Sequence, residues 1–294
     1  QDGNEKGDFY YTPPTGYLAL CTDNLSDPAI KLPSTAFKAK LYTGDGATTQ
    51  AITGLGHQPD YLWVKNRDTN DNFILTNSVR GATKYTTIGV AGGNDGEVTD
   101  ATYINSYNSD GFTVGNSLPT NTNTENYVAY SWKGGGAAVA NTDGTVTGGS
   151  SVSANTTSGF SLVEFDGDGS IETVGHGLSQ APEFIYMKGM TDAGAGTDFP
   201  TGGTGMGFTT AWAYYNYLNT SDAESASAAW WNDTAPTSSV FTIGASGTPA
   251  GKNPYVAFCF HSVEGFSKIG YYVSNNNVDG PFIYTGFKPA FIYY

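Results

Sequence analysis

Charge is scarce in this 294-residue sequence, and positive charge is scarcest. Charged residues make up 14% of it, with 13 Lys and Arg against 27 Asp and Glu, for a net charge of −14. That balance argues against a nucleic-acid partner, because gripping a phosphate backbone takes clustered Lys and Arg. No apolar run approaches the roughly 20 residues that a bilayer-spanning helix requires, so membrane insertion is not expected. Two cysteines, Cys21 and Cys259, are too few for the disulfide framework of a small secreted domain. Zinc-type Cys/His spacing is missing too, as is any stretch with helical hydrophobic periodicity. Neither an initial Met nor a signal peptide is present, and the chain reads as a window on a longer protein.

What remains is glycine (39), tyrosine (20), phenylalanine (16) and abundant Ser, Thr and Asn. Aromatic and β-branched side chains suit a pleated surface, while Gly, Asn and Asp make its turns. An aromatic content of 14% gives ample surface to bury, which argues against disorder. The expected class is all-β, with more than one domain for a chain of this length.

The chain repeats itself. Phe37 to Lys65 contains YTGDG and GLGHQPDYLWVK, and Phe160 to Lys188 contains FDGDG and GLSQAPEFIYMK. Phe37, Tyr42, Asp45, Leu55, Pro59 and Lys65 match Phe160, Phe165, Asp168, Leu178, Pro182 and Lys188 at one fixed offset of 123 positions. FTVGNS from Phe112 matches FTIGAS from Phe241, and YVAYSW from Tyr127 matches YVAFCF from Tyr255. A third copy begins near the end with Phe266, then Tyr271, then GFKPAFIYY from Gly286 to Tyr294, where Pro289 matches Pro182. Apolar runs such as Tyr61–Val64 and Phe184–Met187 predict strands buried on both faces. Asp45-Gly46 and Asp168-Gly169 predict hairpin turns. Repeats of about 100–120 residues with short strands predict tandem β-sandwiches of jelly-roll or lectin-like type. The expected layout is the end of a preceding β domain over 1–33, one repeat over 34–140 and a second over 159–264. Residues 141–158 read as a linker or an extended polar strand, and 265–294 as the start of a third repeat.

The repeat also screens candidate chemistry. His57 aligns with Gln180, His176 with Thr53 and His261 with Lys133, so a histidine-dependent site would belong to one copy alone. Glu164, Asp166 and Asp168 alternate along a predicted strand, the pattern a glycosidase pair would need, yet copy one offers Lys40, Tyr42 and Asp45 there. No catalytic residues are assigned on this basis, and no cofactor. Asp95, Asp166 and Asp168 are oxygen donors suited to a structural Ca²⁺, although neither segment has EF-hand spacing. GLGHQP and the Gly134 triplet lack the GK[ST] of a phosphate loop. Trp212, Tyr214, Tyr215, Tyr217, Trp230 and Trp231 form the best binding candidate. Exposed, they would stack on a glycan or a partner; packed inward, they would be core.

The pattern YTGDG, GLGHQPDYLWVKNR, NSVRGATKY, DGFTVG and YVAYSWK resembles a repeat of large structural, tail-fibre-like proteins of marine bacteriophages. GDFYYTPPTGYLALCTDNL, from Gly7 to Leu25, is similar to the end of a SPRY-like domain. The resemblance implies a non-enzymatic virion fibre, spike or appendage, found in the virion or outside the cell. Its partners would be copies of itself, a trimer first, other virion proteins and a host-surface glycan. A lectin-like carbohydrate-binding module and a polysaccharide depolymerase are the alternatives.

Overall fold

A computed structural model of the chain describes residues 1–24, 28–88, 96–191, 198–245 and 253–294. It is nearly all β, and every strand pairing is antiparallel. The only helices are two of four residues and three 3-10 turns among the described residues.

The first half holds β1 (Phe37–Thr43), β2 (Gln50–Thr53), β3 (Tyr61–Asn66), β4 (Phe73–Asn77), β5 (Lys84–Ile88) and β6 (Val98–Thr99). They are followed by β7 (Ile104–Asn108), β8 (Gly111–Val114), helix α1 (Leu118–Asn121) and β9 (Asn126–Trp132). The second half holds β10 (Val139–Ala140), β11 (Ser150–Asn155), β12 (Phe160–Gly167), β13 (Glu172–Gly175), β14 (Phe184–Gly189), β15 (Pro200–Gly202) and β16 (Tyr214–Tyr217). It ends with β17 (Ser225–Ala226), helix α2 (Ala228–Trp231), β18 (Val240–Ile243) and β19 (Asn253–Phe260). The large sheets run β1-β9-β3-β4-β5-β6 and β10-β11-β12-β19-β14-β15-β16-β17, and the small ones β2-β8-β7 and β13-β18. From β1 and from β12 onward the two large sheets share one strand order.

Alternation within each strand decides which layer it joins. In β3, Leu62 and Val64 face Ile52, Ile104, Phe112 and Val114 of the small sheet, forming the first-half core. In β14, Ile185 and Met187 face Val174, Phe241 and Ile243 in the same way. The intervening residues, Tyr61, Trp63 and Tyr186, point to the other side. There the two large sheets meet, with Leu75, Phe160, Leu162, Val256 and Phe258 buried between them. This third layer is why the central strands have no polar face.

Several expectations are revised. Asp45-Gly46 and Asp168-Gly169 do not close hairpins: each carries the chain from a large sheet to a small one. The glycines do adopt positive φ, 66° and 85°, and each Asp side chain accepts from the main-chain N–H two residues on, Ala47 or Ser170 (both 2.8 Å). In the first half Asn121 braces this crossing, accepting from Asp45 N–H and donating to Ala47 and Gly115 carbonyls. Within the expected linker, residues 150–155 form β11, the polar-strand reading. The Gly134–Gly136 triplet is no slack tether either. A Cβ on Gly135 would sit 2.6 Å from the Ala154 carbonyl, so glycine permits a close crossing over β11. Residues 1–33, expected to close a β domain, and 265–294 contain no strand among the described residues.

Candidate interaction surface

The aromatic stretch of the second half is core. Trp212, Trp230 and Trp231 are 2%, 5% and 0% exposed, so none of them offers a face to a glycan. Ser227 caps α2 by accepting from Ala229 N–H (3.1 Å), and this short helix turns both its tryptophans inward. Trp231 donates its indole N–H to the Thr201 carbonyl (3.1 Å) and packs edge-on against Trp212 (5.5 Å). Its ring lies over Gly202, where a Cβ would approach it to 2.5 Å. Tyr214, Tyr215 and Tyr217 are half-buried on β16; Tyr215 and Tyr217 rest against Trp230 (6.3 Å each).

The reason is visible by comparing the halves. Gly115, after β8, donates to the Tyr103 carbonyl beside β7 (3.1 Å), while Gly244, after β18, donates to the Trp230 carbonyl (3.0 Å). Helix α2 therefore stands where β7 stands in the first half, and its tryptophans supply the apolar volume of the absent strand. Only the longer spacing of this segment, 53 positions from Lys188 to Phe241 against 47 from Lys65 to Phe112, hints at the exchange in the sequence.

Glu164 lies on the face of β12 that carries Phe160 and Leu162 and accepts from Arg80 of the first half. Arg80 also grips Glu97 with two nitrogens (2.7 and 2.8 Å), and Lys84 adds a third contact (3.0 Å). Burial alone would raise the Glu97 carboxyl pKa, but the hydrogen bonds from Arg80 and Lys84 bring it below the usual range. Asp166 shares an open cleft of about 230 Å³ with Glu164, Ser150 and Ser151, whereas Asp168 is spent on its turn. Asp95 lies outside the described residues. Among the described residues no group of three or more His, Cys, Asp or Glu side chains could hold a metal.

The three histidines are separate and buried. His57 donates from Nδ1 to the Ser34 carbonyl (3.0 Å), and its Nε2 is hydrogen-bonded with the Ser131 hydroxyl (2.9 Å). His176 donates from Nε2 to the Thr237 carbonyl (3.2 Å) and accepts Leu178 N–H at Nδ1 (3.1 Å). A carbonyl can only accept, so His57 Nδ1 and His176 Nε2 are donors, and the Leu178 N–H at Nδ1 fixes His176 as a neutral tautomer. Burial lowers both pKa values. His261 Nδ1 lies between the Gln180 side-chain amide (2.6 Å) and the Ser262 carbonyl (2.9 Å). Both cysteines are free, and burial pushes the Cys259 thiol up to about 12.

Two surfaces built for contact remain. One is already occupied: the face between the large sheets, where Tyr186 donates its hydroxyl to that of Tyr61 (3.0 Å) and Tyr61 packs on Phe258 (4.3 Å). Glu97 N–H also donates across it to the Met190 carbonyl (2.9 Å). The other lies in the terminal segments. Among the described residues, seventeen of the twenty-two large hydrophobics left exposed fall in residues 9–32 and 271–294, including Tyr10, Leu20, Val278, Phe282 and Tyr294. No helix among the described residues is long and apolar enough to cross a membrane.

Comparison with curated proteins and with solved structures finds no match. One family model does match, over residues 32–294, and it takes in both halves and the C-terminal segment as a single unit. The chain belongs to the family of that model, a domain of unknown function, DUF7483.

Proposed function

We propose that this chain is a non-enzymatic structural module of a virion fibre, spike or appendage, built from tandem β-sandwich repeats that associate with copies of themselves. The observation that carries the reading is the distribution of apolar surface. Each half buries one sheet face in its own core and the other against its twin, and what is left over is gathered in the terminal segments. Such a body buries its sheets internally and leaves apolar terminal segments to meet other subunits, as a repeating appendage needs. The likeness of its repeat to tail-fibre-like phage proteins points the same way. Low charge fits broad faces buried against other subunits. A closed trimer is the expected assembly, in a virion or extracellular setting, with other virion proteins and a host-surface glycan as further partners.

Light scattering on the full chain across a concentration range tests this reading. Self-association to a defined mass, about three chains, is expected. A monomer at every concentration would overturn it.

A further inference from the structure

The two halves differ at one sheet edge. In the second, β12 is flanked on its outer side by β11, with Ser150 to Asn155 paired to Phe165 to Phe160. In the first, the matching strand β1 ends its sheet, and no strand pairs with its outer side among the described residues. Two hydrogen bonds fix the phase of that edge. Lys133 N–H donates to the Ala36 carbonyl (2.8 Å), and Gly44 N–H to the Glu125 carbonyl (2.9 Å). With β1 paired to β9 in the register Phe37↔Trp132 to Thr43↔Asn126, even-numbered residues turn their main chain inward. Phe37, Ala39 and Leu41 turn theirs outward. Thr43 does so too, and its carbonyl accepts the Gln50 amide (2.9 Å). Leu41 is 62% exposed as well. The segment that could have covered this edge, at the offset of β11, contains Pro28 and is followed by Pro33. Proline suits it poorly to a ladder.

The C-terminal segment has the complementary deficit. The tripeptide Phe-Ile-Tyr forms part of β14 at 184–186 and recurs at 282–284 and 291–293. Phe291 packs against Phe37, Tyr130 and Trp132 (5.2, 5.0 and 5.8 Å), and Tyr293 against Trp63 (5.9 Å). These contacts extend the aromatic layer between the halves and anchor the end of the chain beside β1. Phe282, Ile283 and Tyr284, by contrast, are 88%, 51% and 79% exposed. Among the described residues they make no main-chain hydrogen bond. Tyr284-Thr285-Gly286 also repeats the Tyr42-Thr43-Gly44 that ends β1.

We infer that the outer edge of β1 is a strand-docking site, and that its occupant is the Phe282–Thr285 segment of a second copy of this chain. The bound strand would do for β1 what β11 does for β12, through the outward main-chain groups of Phe37, Ala39 and Leu41. An edge on one copy and a strand on the next make a heterologous contact, which closes into a ring when the rotation allows. The inference rests on the self-association proposed above and names its surface.

Mixing two variants tests it. Leu41→Pro removes one outward N–H and leaves the β1–β9 ladder intact, so its melting temperature should match that of the parent; Leu41→Lys is a second edge variant. Ile283→Pro disables the donor strand. The parent chain should be a multimer and each variant alone a monomer by light scattering. An equimolar mixture should give a species of twice the monomer mass, because one intact edge meets one intact strand. Multimers that survive either variant would overturn the inference while leaving self-association standing, as would a mixture that stays monomeric. A parent chain that never associates would overturn both.

Discussion

Beside β8 the first half places a strand, β7; beside β18 the second half places a four-residue helix with two tryptophans. Beside β12 the second half adds β11, where β1 stands alone. The central strands β3 and β14, shared by both halves, bury two faces, and each must satisfy two neighbouring layers at once. The positions that differ touch one layer only. Selection of side chains is tight where packing is two-sided, and the backbone itself changes where it is one-sided. Trp230 and Trp231 show that a core can keep its volume while exchanging a strand for a helix.

Four changes would break or sharpen this comparison. The largest effect belongs to Trp231→Ala, which empties a site at 0% exposure and removes the indole hydrogen bond to the Thr201 carbonyl. A loss of about 3–5 kcal/mol is expected in urea unfolding, more than for Ile104→Ala in β7. Equal losses would mean that α2 does not replace a strand in the packing. Arg80→Ala comes next. It leaves Glu97 and Glu164 without their shared cation, and the expected loss is about 2–3 kcal/mol. Glu164→Gln should recover little of it if Glu97 is the main partner, as the two-nitrogen grip indicates. Tyr61→Phe removes one hydroxyl pair between the sheets, for about 1 kcal/mol. Tyr186→Phe should cost the same, and the two together little more, since one bond is lost in every case.

The smallest effect is set by pH. Burial of His57 and His176 disfavours their charged forms, so both pKa values are lowered from 6.5 in the fold. Well above pH 6.5 neither state is protonated and nothing changes. As pH falls below 6.5 the unfolded chain takes up protons that the folded one refuses, so stability declines until the folded pKa values are passed. His57→Gln, the residue at the matching position 180, should flatten that decline between pH 6.5 and 5. This window lies above the range in which Glu97 titrates. An unchanged slope would mean that His57 is protonated in the fold.

Much of the scaffold was legible because the repeat is written in residues with two-sided duties. Tyr61–Val64 and Phe184–Met187 are apolar at every position, and a strand buried on both faces is the physical consequence. The partner for the second face was not legible, since no local pattern says that one half will cover the other. Asp-Gly signals a tight turn without telling a hairpin from a sheet-to-sheet crossing, because both need the same positive φ. The tryptophans misled for a similar reason. An aromatic cluster in a variable segment reads as a platform, and only the burial of Trp212, Trp230 and Trp231 in the fold reveals it as core. Glu164 and Asp166 read as paired acids, yet the sequence gives no means of seeing Arg80 arrive from 84 positions away.

Calorimetry on the full chain tests the central claim most directly, that the two halves are one body joined through their large sheets. A single unfolding transition is expected, with calorimetric and van't Hoff enthalpies in a ratio of about one, and Trp231→Ala should lower its midpoint as a whole. Two separate transitions, with Trp231→Ala moving only one of them, would contradict it.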